Sequence, residues 1–423
     1  MNLKKCFRSF GTILAAAALL SVTACGDTVK NANDEADGDS IYEPITMTPQ
    51  EEPTTEPPTE PPEKRVHVTA VGDNLIHYSV YKNAEQLAGP GENFDFKPLY
   101  ENVKYLIEEA DVAIINQETI ISESNELRGA NGGALLFNSP PEVADAVIDM
   151  GFDVVTMANN HLLDFGIDAL EESINFWNQK AEQYDLTVLG AYLNEADAEN
   201  IRVREVNGVK IAFLAYTMNI NGFEIPDDSP IRVILNEEED VIERQIRYAD
   251  QIADAVVVSA HWGAEDTHEV SEDRKILAQK MVDWGADVIL GSHPHTAQTM
   301  EWLTREDGSK GFVFYSMGNF ICYQTDNFNV VGEMPDFDIV LDSETGEIRL
   351  EDMGCIPNIV HYEIDDSVST LRVYPYSKYT PELAERHGLP YAEPQGTYTE
   401  FGWDIINGII EENIPLEFRK LDK

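Results

Sequence analysis

The sequence predicts an α/β fold with mixed sheets, either one mixed sheet or two sheets packed face to face. Short β-branched apolar runs alternate with helix-length segments, which is typical of parallel strands joined by helical crossovers. Asn207-Gly208 separates two further apolar runs and predicts a β-hairpin. Late runs on both sides of the turn at 343–346 predict antiparallel strands. No internal repeat interrupts this pattern.

Five apolar runs predict parallel strands, and each leads into a cluster of polar residues. The runs are 66–71, 112–115, 154–157, 255–259 and 288–290. The clusters contain Asp, Glu, Asn and His. Because the carboxyl ends of parallel strands line the ligand crevice of such a sheet, we expect the clusters to converge at one edge.

The remaining elements follow from apolar spacing and from start and stop signals. Ser139-Pro140-Pro141-Glu142 is typical of a helix start, and Gly151 and Gly285 are typical helix stops. Predicted helices cover 96–109, 142–150, 167–183, 238–253, 272–284, 381–387 and 403–412. Further predicted strands cover 187–189, 201–206, 209–216, 312–315, 337–341 and 348–353.

The first 24 residues have the form of a lipoprotein signal peptide. Lys4, Lys5 and Arg8 precede an apolar run at 13–20 that is too short to span a membrane as a mature helix. Val22-Thr23-Ala24-Cys25 resembles the bacterial lipobox. We therefore expect a lipid anchor on Cys25 and a protein held at the extracytoplasmic face of the cell membrane. Ordinary signal cleavage beside a chance cysteine is the alternative.

Residues 25–65 are rich in Pro, Thr and Glu and almost free of apolar side chains. Such a segment cannot bury enough surface to fold, so it predicts an extended, disordered tether. The expected folded domain covers 66–360, and 361–423 is expected to form a C-terminal appendage.

The chain is strongly acidic, with 29 Lys and Arg against 77 Asp and Glu and a net charge of −48. This balance excludes nucleic acid as an expected partner. A polyanionic substrate would be repelled except where a cation bridges it to the protein.

Besides the anchor residue Cys25, two cysteines lie beyond the signal segment, Cys322 and Cys355. They predict either one disulfide of an exported protein or two buried thiols. Neither lies near a histidine motif, which argues against a thiol catalyst.

The polar clusters have the composition of a divalent-metal site. Imidazole, carboxylate and amide oxygen together favour Mn, Fe or Zn over Ca or Mg, with one or two ions. The expected ligands are Asp73, Glu118, Asn160, His261, His293 and His295. His293 and His295 can point the same way if strand geometry persists through them. A polar network that only closes the sheet edge is the alternative.

Roles within the clusters can be separated by chemistry. His161 is the candidate general acid, beside Asn160 as a neutral oxygen ligand. Asp164 either orients His161 or caps the following helix. Glu118 either binds metal or acts as a base. His77 is a candidate ligand, substrate contact or rim residue, whereas Trp262 is expected to be a packing wall. The other histidines, His67, His268, His361 and His387, are expected to be structural.

An ordered set of motifs resembles the CapA proteins of capsule and poly-γ-glutamate biosynthesis. The motifs are Val-Gly-Asp-Asn-Leu-Ile-His at 71–77, Asn-x-Glu at 116–118, Asn-Asn-His-x-x-Asp at 159–164, His-Trp-Gly at 261–263, Gly-Ser-His-Pro-His at 291–295 and Ser-Met-Gly-Asn at 316–319. That family is similar to calcineurin-like metallophosphoesterases, which implies a four-layer α/β/β/α sandwich and a two-metal centre. The resemblance implies that Asp73, Asn160, His261, His293 and His295 bind metal and that His161 is the acid.

The sequence departs from the phosphoesterase pattern at two places. Leu75 stands where that pattern has a histidine, and Asn116-x-Glu118 takes the place of its bridging Gly-Asp-x-x-Asp motif. One metal ion and two metal ions therefore both remain open at this point.

Three functions are compatible with these residues. The first is a membrane-anchored CapA-like protein of capsule or poly-γ-glutamate synthesis or export, acting with polymer synthetase subunits through a metal-dependent hydrolase-type site. The second is a metallophosphoesterase acting on a small or lipid phosphate. The third is a non-catalytic assembly subunit of a polymer synthesis complex.

Overall fold

The computed structural model describes residues 63–131, 135–392 and 399–423. The signal peptide, the Cys25 anchor and the tether up to residue 62 lie outside the described residues. Within the described part of the chain, no helix combines the length and apolarity that crossing a membrane requires.

The described chain alternates strands and helices. Its strands are β1 (Glu63–Asn74), β2 (Val112–Asn116), β3 (Arg128–Gly129), β4 (Phe137–Asn138), β5 (Val154–Thr156), β6 (Thr187–Leu189), β7 (Arg202–Val206), β8 (Val209–Thr217), β9 (Ala255–His261), β10 (Val288–Ser292), β11 (Met300–Thr304), β12 (Lys310–Phe314), β13 (Asn319–Ile321), β14 (Val331–Asp342), β15 (Ile348–Ile364) and β16 (Val368–Pro375). Its α-helices are α1 (Tyr78–Leu87), α2 (Lys97–Tyr100), α3 (Lys104–Glu108), α4 (Glu142–Met150), α5 (Ile167–Tyr184), α6 (Glu195–Ala198), α7 (Glu239–Ile252), α8 (Glu272–Trp284), α9 (Pro381–Arg386) and α10 (Trp403–Asn413). Short 3₁₀ turns cover Asn327–Val330, Tyr376–Lys378, Leu389–Tyr391 and Leu416–Phe418.

Two large mixed sheets carry the fold. The first has the order β16-β15-β14-β1-β2-β5-β6, with β13 paired to β1, and the second has the order β11-β12-β10-β9-β8-β7. Strands β1, β2, β5 and β6 are parallel, as are β8, β9, β10 and β12. The predicted hairpin is present as β7 and β8. The five runs expected to be parallel strands are therefore confirmed.

Successive side chains of β1 point to opposite faces of the first sheet, so this strand contributes to the core on each side of that sheet. Val66 and Val68 point into a core between the two sheets, where they join residues such as Phe213 of β8 and Val257 of β9. Val71 lies in a second core on the other face, under helices α1 to α5. Helices α7 and α8 contribute Ile246 and Met281 to the far side of the second sheet. The predicted four-layer α/β/β/α sandwich is confirmed.

Several elements differ from the sequence-based expectation. Helices α1 and α6 and strands β3, β4, β11 and β13 are present without having been expected. The helix expected over 96–109 is interrupted between α2 and α3 by a turn at 101–103. Strand β16 was not predicted, because its apolar residues alternate with Ser, Thr and Arg over a short stretch. The expected domain boundary near residue 360 falls inside β15, and β16 pairs with β15 as an edge strand of the first sheet.

Of the two alternatives for Cys322 and Cys355, the disulfide is wrong. Both thiols are free and buried. Cys322 lies in the core beneath α1 to α5, whereas Cys355 lies in the core between the sheets. The large sheet therefore separates the two sulfur atoms, and the buried-thiol alternative holds.

Glu333 of β14 makes the stability of the fold depend on pH. It is fully buried, and neither carboxylate oxygen has a hydrogen-bond partner in the part of the chain that the structure describes. Burial raises the pKa of this carboxyl well above its usual value. Since the folded state holds the proton more tightly than the unfolded chain, stability is lost as pH rises above about 4.3, the ordinary glutamate pKa.

We expect Glu333→Gln to raise the thermal midpoint at pH 8 by at least about 2 °C and to have a much smaller effect at pH 4. Thermal unfolding of both proteins across this pH range measures the difference. Glu347→Gln, a change of an exposed side chain in the turn before β15, is the matched control. Equal gains at pH 4 and pH 8 would contradict the assigned cause.

Candidate metal centre

The carboxyl ends of β1, β2, β5, β9 and β10 meet at one edge of the sandwich. Two glycines permit the close approach of backbone that this requires. A Cβ atom on Gly72 would lie 1.9 Å from the carbonyl oxygen of Gly318, and one on Gly291 would lie 1.9 Å from that of Tyr315. Any larger residue would push apart the segments that place Asp73 and the histidine pair.

Asp73, Glu118 and His295 form a first group of potential ligands. Their donor atoms all lie within 4.8 Å of one another, and the three residues are buried. Asp73 Oδ2 is 3.0 Å from His295 Nδ1, and His295 Nε2 is 3.7 Å from Glu118 Oε1. Asn116 donates from Nδ2 to the other oxygen of Asp73 at 2.8 Å, which fixes the carboxylate.

Glu118, His261 and His293 form a second group within the same distance limit. His261 Nε2 lies 3.6 Å from Glu118 Oε1 and 3.0 Å from Asn160 Oδ1. The His261 and His293 rings are 4.8 Å apart between centroids. The amide oxygen of Asn160 therefore faces this second group, as expected for a neutral ligand.

Glu118 belongs to both groups, and its environment fits a cation. It is fully buried, and both carboxylate oxygens lack a hydrogen-bond partner among the described residues. His293 Nδ1 is likewise buried and unpartnered. A buried carboxylate without a partner costs several kcal/mol, so an ion shared by these donors removes a large penalty. The residues present fit one or two divalent ions.

The electrostatics of the metal-free site support this fit. Burial, with Asp73 beside it, raises the pKa of Glu118 well above its usual value. Burial lowers the pKa of His261 well below normal and that of His293 to about 4, so both imidazoles are neutral, the form that binds metal. Burial opposes protonation of His295 as well, but Glu118 and Asp73 outweigh it and raise its pKa to about 10.

The backbone separates His293 from His295. Strand β10 ends at Ser292, and both histidines have positive φ, +97° and +57°. Strand geometry therefore does not persist, and the two side chains do not run side by side: each joins a different ligand group. Positive φ is rare outside glycine and is typical of functional sites, where surrounding structure maintains the strain.

His161 stands beside the ligands with a carboxylate partner. Its Nδ1 lies 2.8 Å from Asp164 Oδ2, and that oxygen also accepts from the Phe137 backbone N–H at 2.7 Å. The helix-capping alternative for Asp164 is wrong, because α5 begins after Gly166 and has no side-chain cap. Asp164 instead holds the His161 ring, with the proton assigned to Nδ1 from this contact.

Sequence reasoning missed the side chains that hold the ligands. Ser292 Oγ lies 2.9 Å from His261 Nδ1, which leaves Nε2 directed at the centre. Asn319 Oδ1 lies 3.2 Å from His295 Nδ1. Ser292 lies in the Gly-Ser-His-Pro-His motif and Asn319 in the Ser-Met-Gly-Asn motif. Their place in these motifs, beside histidine and glycine, is the signal from which their contact with the ligands could have been predicted.

Asn221 carried no such signal. It lies in a loop after β8 with a φ of +52°, and its Oδ1 accepts from Asn160 Nδ2 at 3.1 Å. This bond orients the Asn160 amide so that Oδ1 faces His261. Asn221 Nδ2 also lies 3.3 Å from His161 Nδ1.

We expect Asn221→Ala to weaken metal binding by about 10-fold, because second partners of ligands typically contribute 10- to 100-fold. Titration with Mn²⁺ measures this. Asn175→Ala, which removes an exposed amide of α5 outside both ligand groups, serves as the control. Unchanged affinity in Asn221→Ala would show that Asn160 is oriented without it.

The remaining predicted residues lie outside the two ligand groups. His77 borders the site, and the Tyr323 backbone N–H donates to its Nδ1 at 3.2 Å. It belongs to neither ligand group, and its role as substrate contact or rim residue stays a prediction. Trp262 is buried and donates from Nε1 to the Tyr315 carbonyl at 3.0 Å, as expected of a packing wall. His67, His268, His361 and His387 contact neither group among the described residues.

A hollow of about 320 Å³ opens beside the site and includes Asn160, His161 and His295 in its wall. A larger hollow of about 590 Å³ lies along α5. Its lining includes Glu172 and Asn175 but no histidine. The smaller one is the candidate substrate site because it alone of these two reaches the ligands.

Comparison with known proteins agrees with the motifs. The family model described as "Bacterial capsule synthesis protein PGA_cap" matches residues 67–324. The capsule biosynthesis protein CapA of Bacillus anthracis is 36% identical over 185 residues, which are 43% of this chain and 42% of that protein. The PGA biosynthesis protein CapA of Bacillus subtilis is 30% identical over 253 residues, 59% of this chain and 62% of that protein.

The chain therefore spans less than two thirds of the length of these two relatives. Among solved structures, a novel phosphatase from Mycoplasma pneumoniae covers 69% of this chain and 93% of its own, with a TM-score of 0.40 and 14% identity. The family match includes every residue of both ligand groups, His161 and Asp164. The chain belongs to the family of the bacterial capsule synthesis protein PGA_cap.

Proposed function

We propose that this protein works in the synthesis or export of an anionic capsule polymer such as poly-γ-glutamate, through metal-dependent hydrolysis or transfer. One observation carries the proposal: the buried, unpartnered carboxylate of Glu118 is shared by two groups of metal-binding side chains. A satisfied structural network would have given these oxygens hydrogen-bond donors.

The ligand chemistry favours Mn, Fe or Zn. Asp73, Glu118 and His295 would hold one ion, and Glu118, Asn160, His261 and His293 would hold the other. A divalent cation there supplies Lewis-acid stabilisation of negative charge that develops on oxygen. It also supplies the positive charge through which so acidic a chain can engage an anionic substrate.

His161 is the proposed general acid. Because Asp164 occupies Nδ1, the other ring nitrogen, Nε2, is the one that can deliver a proton to a leaving group. Asp164 maintains the ring orientation and stabilises the protonated ring. Phe137 packs edge-on against His161 with ring centroids 4.6 Å apart, which further limits ring motion.

The sequence at the amino terminus supports an envelope location. A lipid anchor on Cys25 and the acidic tether would place the domain at the extracytoplasmic face of the cell membrane. The related proteins are named for capsule and PGA biosynthesis, which supports polymer synthetase subunits as partners.

Metal content and a substrate screen test the proposal together. Purified protein is expected to retain Mn, Fe or Zn, and His261→Ala is expected to lose most of it. The screen offers phosphodiesters, phosphomonoesters and γ-glutamyl polymers. His67→Ala, at the start of β1 away from both ligand groups, is the histidine control.

Three possible results distinguish the polymer enzyme, the unrelated phosphoesterase and the non-catalytic subunit. Turnover of polymer, with loss of polymer in a deletion strain, supports the proposal. Turnover of a small or lipid phosphate with normal polymer in that strain favours an unrelated phosphoesterase. Metal-free protein that turns over nothing, in a strain that loses polymer, favours a non-catalytic assembly subunit.

A further inference from the structure

The hollow beside His161 has a lining that restricts what can occupy it. We call it the leaving-group hollow; it is lined by Leu75, His77, Leu135, Leu136, Phe137, Asn160, His161, Asp164, Asn221, Phe223, Glu265, His295 and Gln324. Both His161 and His295 line this hollow. A substrate whose reacting group lies at the metal ligands therefore extends into the leaving-group hollow.

The upper walls of the leaving-group hollow are apolar and exposed. Leu135 is 73% exposed and Phe223 is 45% exposed, although both are large hydrophobic side chains. Phe137, a buried residue of the same lining, contacts both His77 and His161 edge-on. Exposed apolar side chains that face one hollow mark a binding surface for an apolar or aromatic group.

Glu265 is the carboxylate of the hollow that a ligand can reach, because the Asp164 side chain is buried and its Oδ2 lies 2.8 Å from His161 Nδ1. A neighbouring hollow of about 490 Å³ shares His77, Leu135 and Gln324 with it and adds Asp266 and Asp326. Among the described residues that line the two hollows, none is Lys or Arg. Burial lowers the pKa of His77 to about 3, so this ring contributes no positive charge at neutral pH.

We propose that the leaving-group hollow binds the departing half of the substrate and that this half is a neutral or cationic group with an apolar or aromatic part. This inference rests on the proposed function. Aromatic faces with carboxylates nearby attract cations, whereas a carboxylate entering the hollow meets the exposed Glu265 and no Lys or Arg among the described lining residues. The bond cleaved therefore joins the anionic polymer to a neutral or cationic group, and is not a bond between two γ-glutamyl units, each of which carries a carboxylate.

The chemical step balances without a further reactant. The oxygen of water bonds to the phosphorus or acyl carbon, and the bond from that atom to the leaving oxygen or nitrogen breaks. The leaving atom takes a proton from His161, and the attacking water releases one proton to solvent. The leaving-group hollow then releases a neutral or cationic alcohol or amine.

Three methyl aryl phosphodiesters test the charge preference. They share the phosphate and differ only at the para position, which carries a trimethylammoniomethyl, a methyl or a carboxymethyl group. We expect kcat/KM to fall in that order. Glu265→Gln should reduce the ratio between the cationic and anionic esters by about fivefold, since one nearby charge is worth about 1 kcal/mol in water.

Phe223→Ala should lower kcat/KM for the neutral and cationic esters by about tenfold through loss of aromatic contact. Glu224→Gln is the matched control, because Glu224 is exposed next to Phe223 but does not line the hollow. Metal content is measured for each variant, since Glu265 Oε1 lies 4.0 Å from His293 Nε2. A faster anionic ester, or equal effects of Glu265→Gln and Glu224→Gln, would overturn the inference.

Binding of the three parent phenols to metal-loaded protein, followed by NMR, separates this inference from the proposed function. If the esters are not hydrolysed but the phenols bind in the same charge order, the hollow is as described and the proposed hydrolysis fails. If the esters are hydrolysed without charge preference, the hydrolysis stands and the assigned leaving group is wrong. If the three phenols bind with equal affinity whatever their charge, the assigned leaving group is also wrong.

Discussion

Glu118→Gln is expected to abolish binding of both metal ions and to reduce turnover by at least about 10³-fold. The reason is that Glu118 alone belongs to both ligand groups, so its loss removes a ligand from each. Metal-ion stabilisation of developing charge is worth several kcal/mol, and each 1.36 kcal/mol is tenfold in rate. Elemental analysis and kcat/KM of the variant measure the two effects.

The same substitution should have the opposite effect on the metal-free fold. Burial and the nearby Asp73 raise the pKa of Glu118, so this carboxyl costs stability as pH rises above the ordinary glutamate value of about 4.3. At pH 8 without metal, Glu118→Gln should unfold at a higher temperature than the unsubstituted protein. With Mn²⁺ present, the order should reverse, because only the unsubstituted protein gains binding free energy.

Glu123→Gln is the matched control for this reversal of unfolding temperatures with and without Mn²⁺, since Glu123 is exposed and belongs to neither ligand group. Its metal content and unfolding temperature should match those of the unsubstituted protein. A Glu118→Gln protein that still binds two ions per chain would refute the shared-ligand role. So would a metal-free variant that is less stable at pH 8, because Glu118 would then be a satisfied structural group.

His161→Ala is expected to slow turnover by about 10²- to 10⁴-fold for substrates with poor leaving groups. The same change should have little effect on a p-nitrophenyl ester, whose leaving oxygen does not need a proton. This contrast follows from a role in protonating the leaving group, and metal binding should be unaffected. Comparison of an alkyl and a p-nitrophenyl phosphodiester in both proteins measures it.

Asp164→Asn provides the matched test of the orienting contact. It preserves shape but replaces the acceptor at 2.8 Å from His161 Nδ1. We expect a smaller loss than for His161→Ala, with the same dependence on the leaving group. Equal slowing of both esters in His161→Ala would show that His161 binds substrate or metal and is not the acid.

The helices and strands that could be predicted from the sequence are those that local residue patterns determine. β6 and α8 match their predicted bounds. A short β-branched run, and a helix with one buried apolar stripe that ends at Gly285, are determined by residues close in sequence. Strand β16 was not predicted from the sequence, because it is short and its apolar residues are interrupted by Ser, Thr and Arg. Its place in the sheet depends on pairing with β15 rather than on its own composition.

The sequence by itself determined the α/β class and the set of residue types gathered at the strand ends, because periodicity and the parallel-sheet rule are local and general. Only the tertiary structure decided that Glu118 is shared and that His293 and His295 join different groups. Those relations depend on packing between two sheets and on positive φ at both histidines. Contacts between residues far apart in sequence, such as Asn221 with Asn160, are fixed by loop geometry that no local pattern encodes.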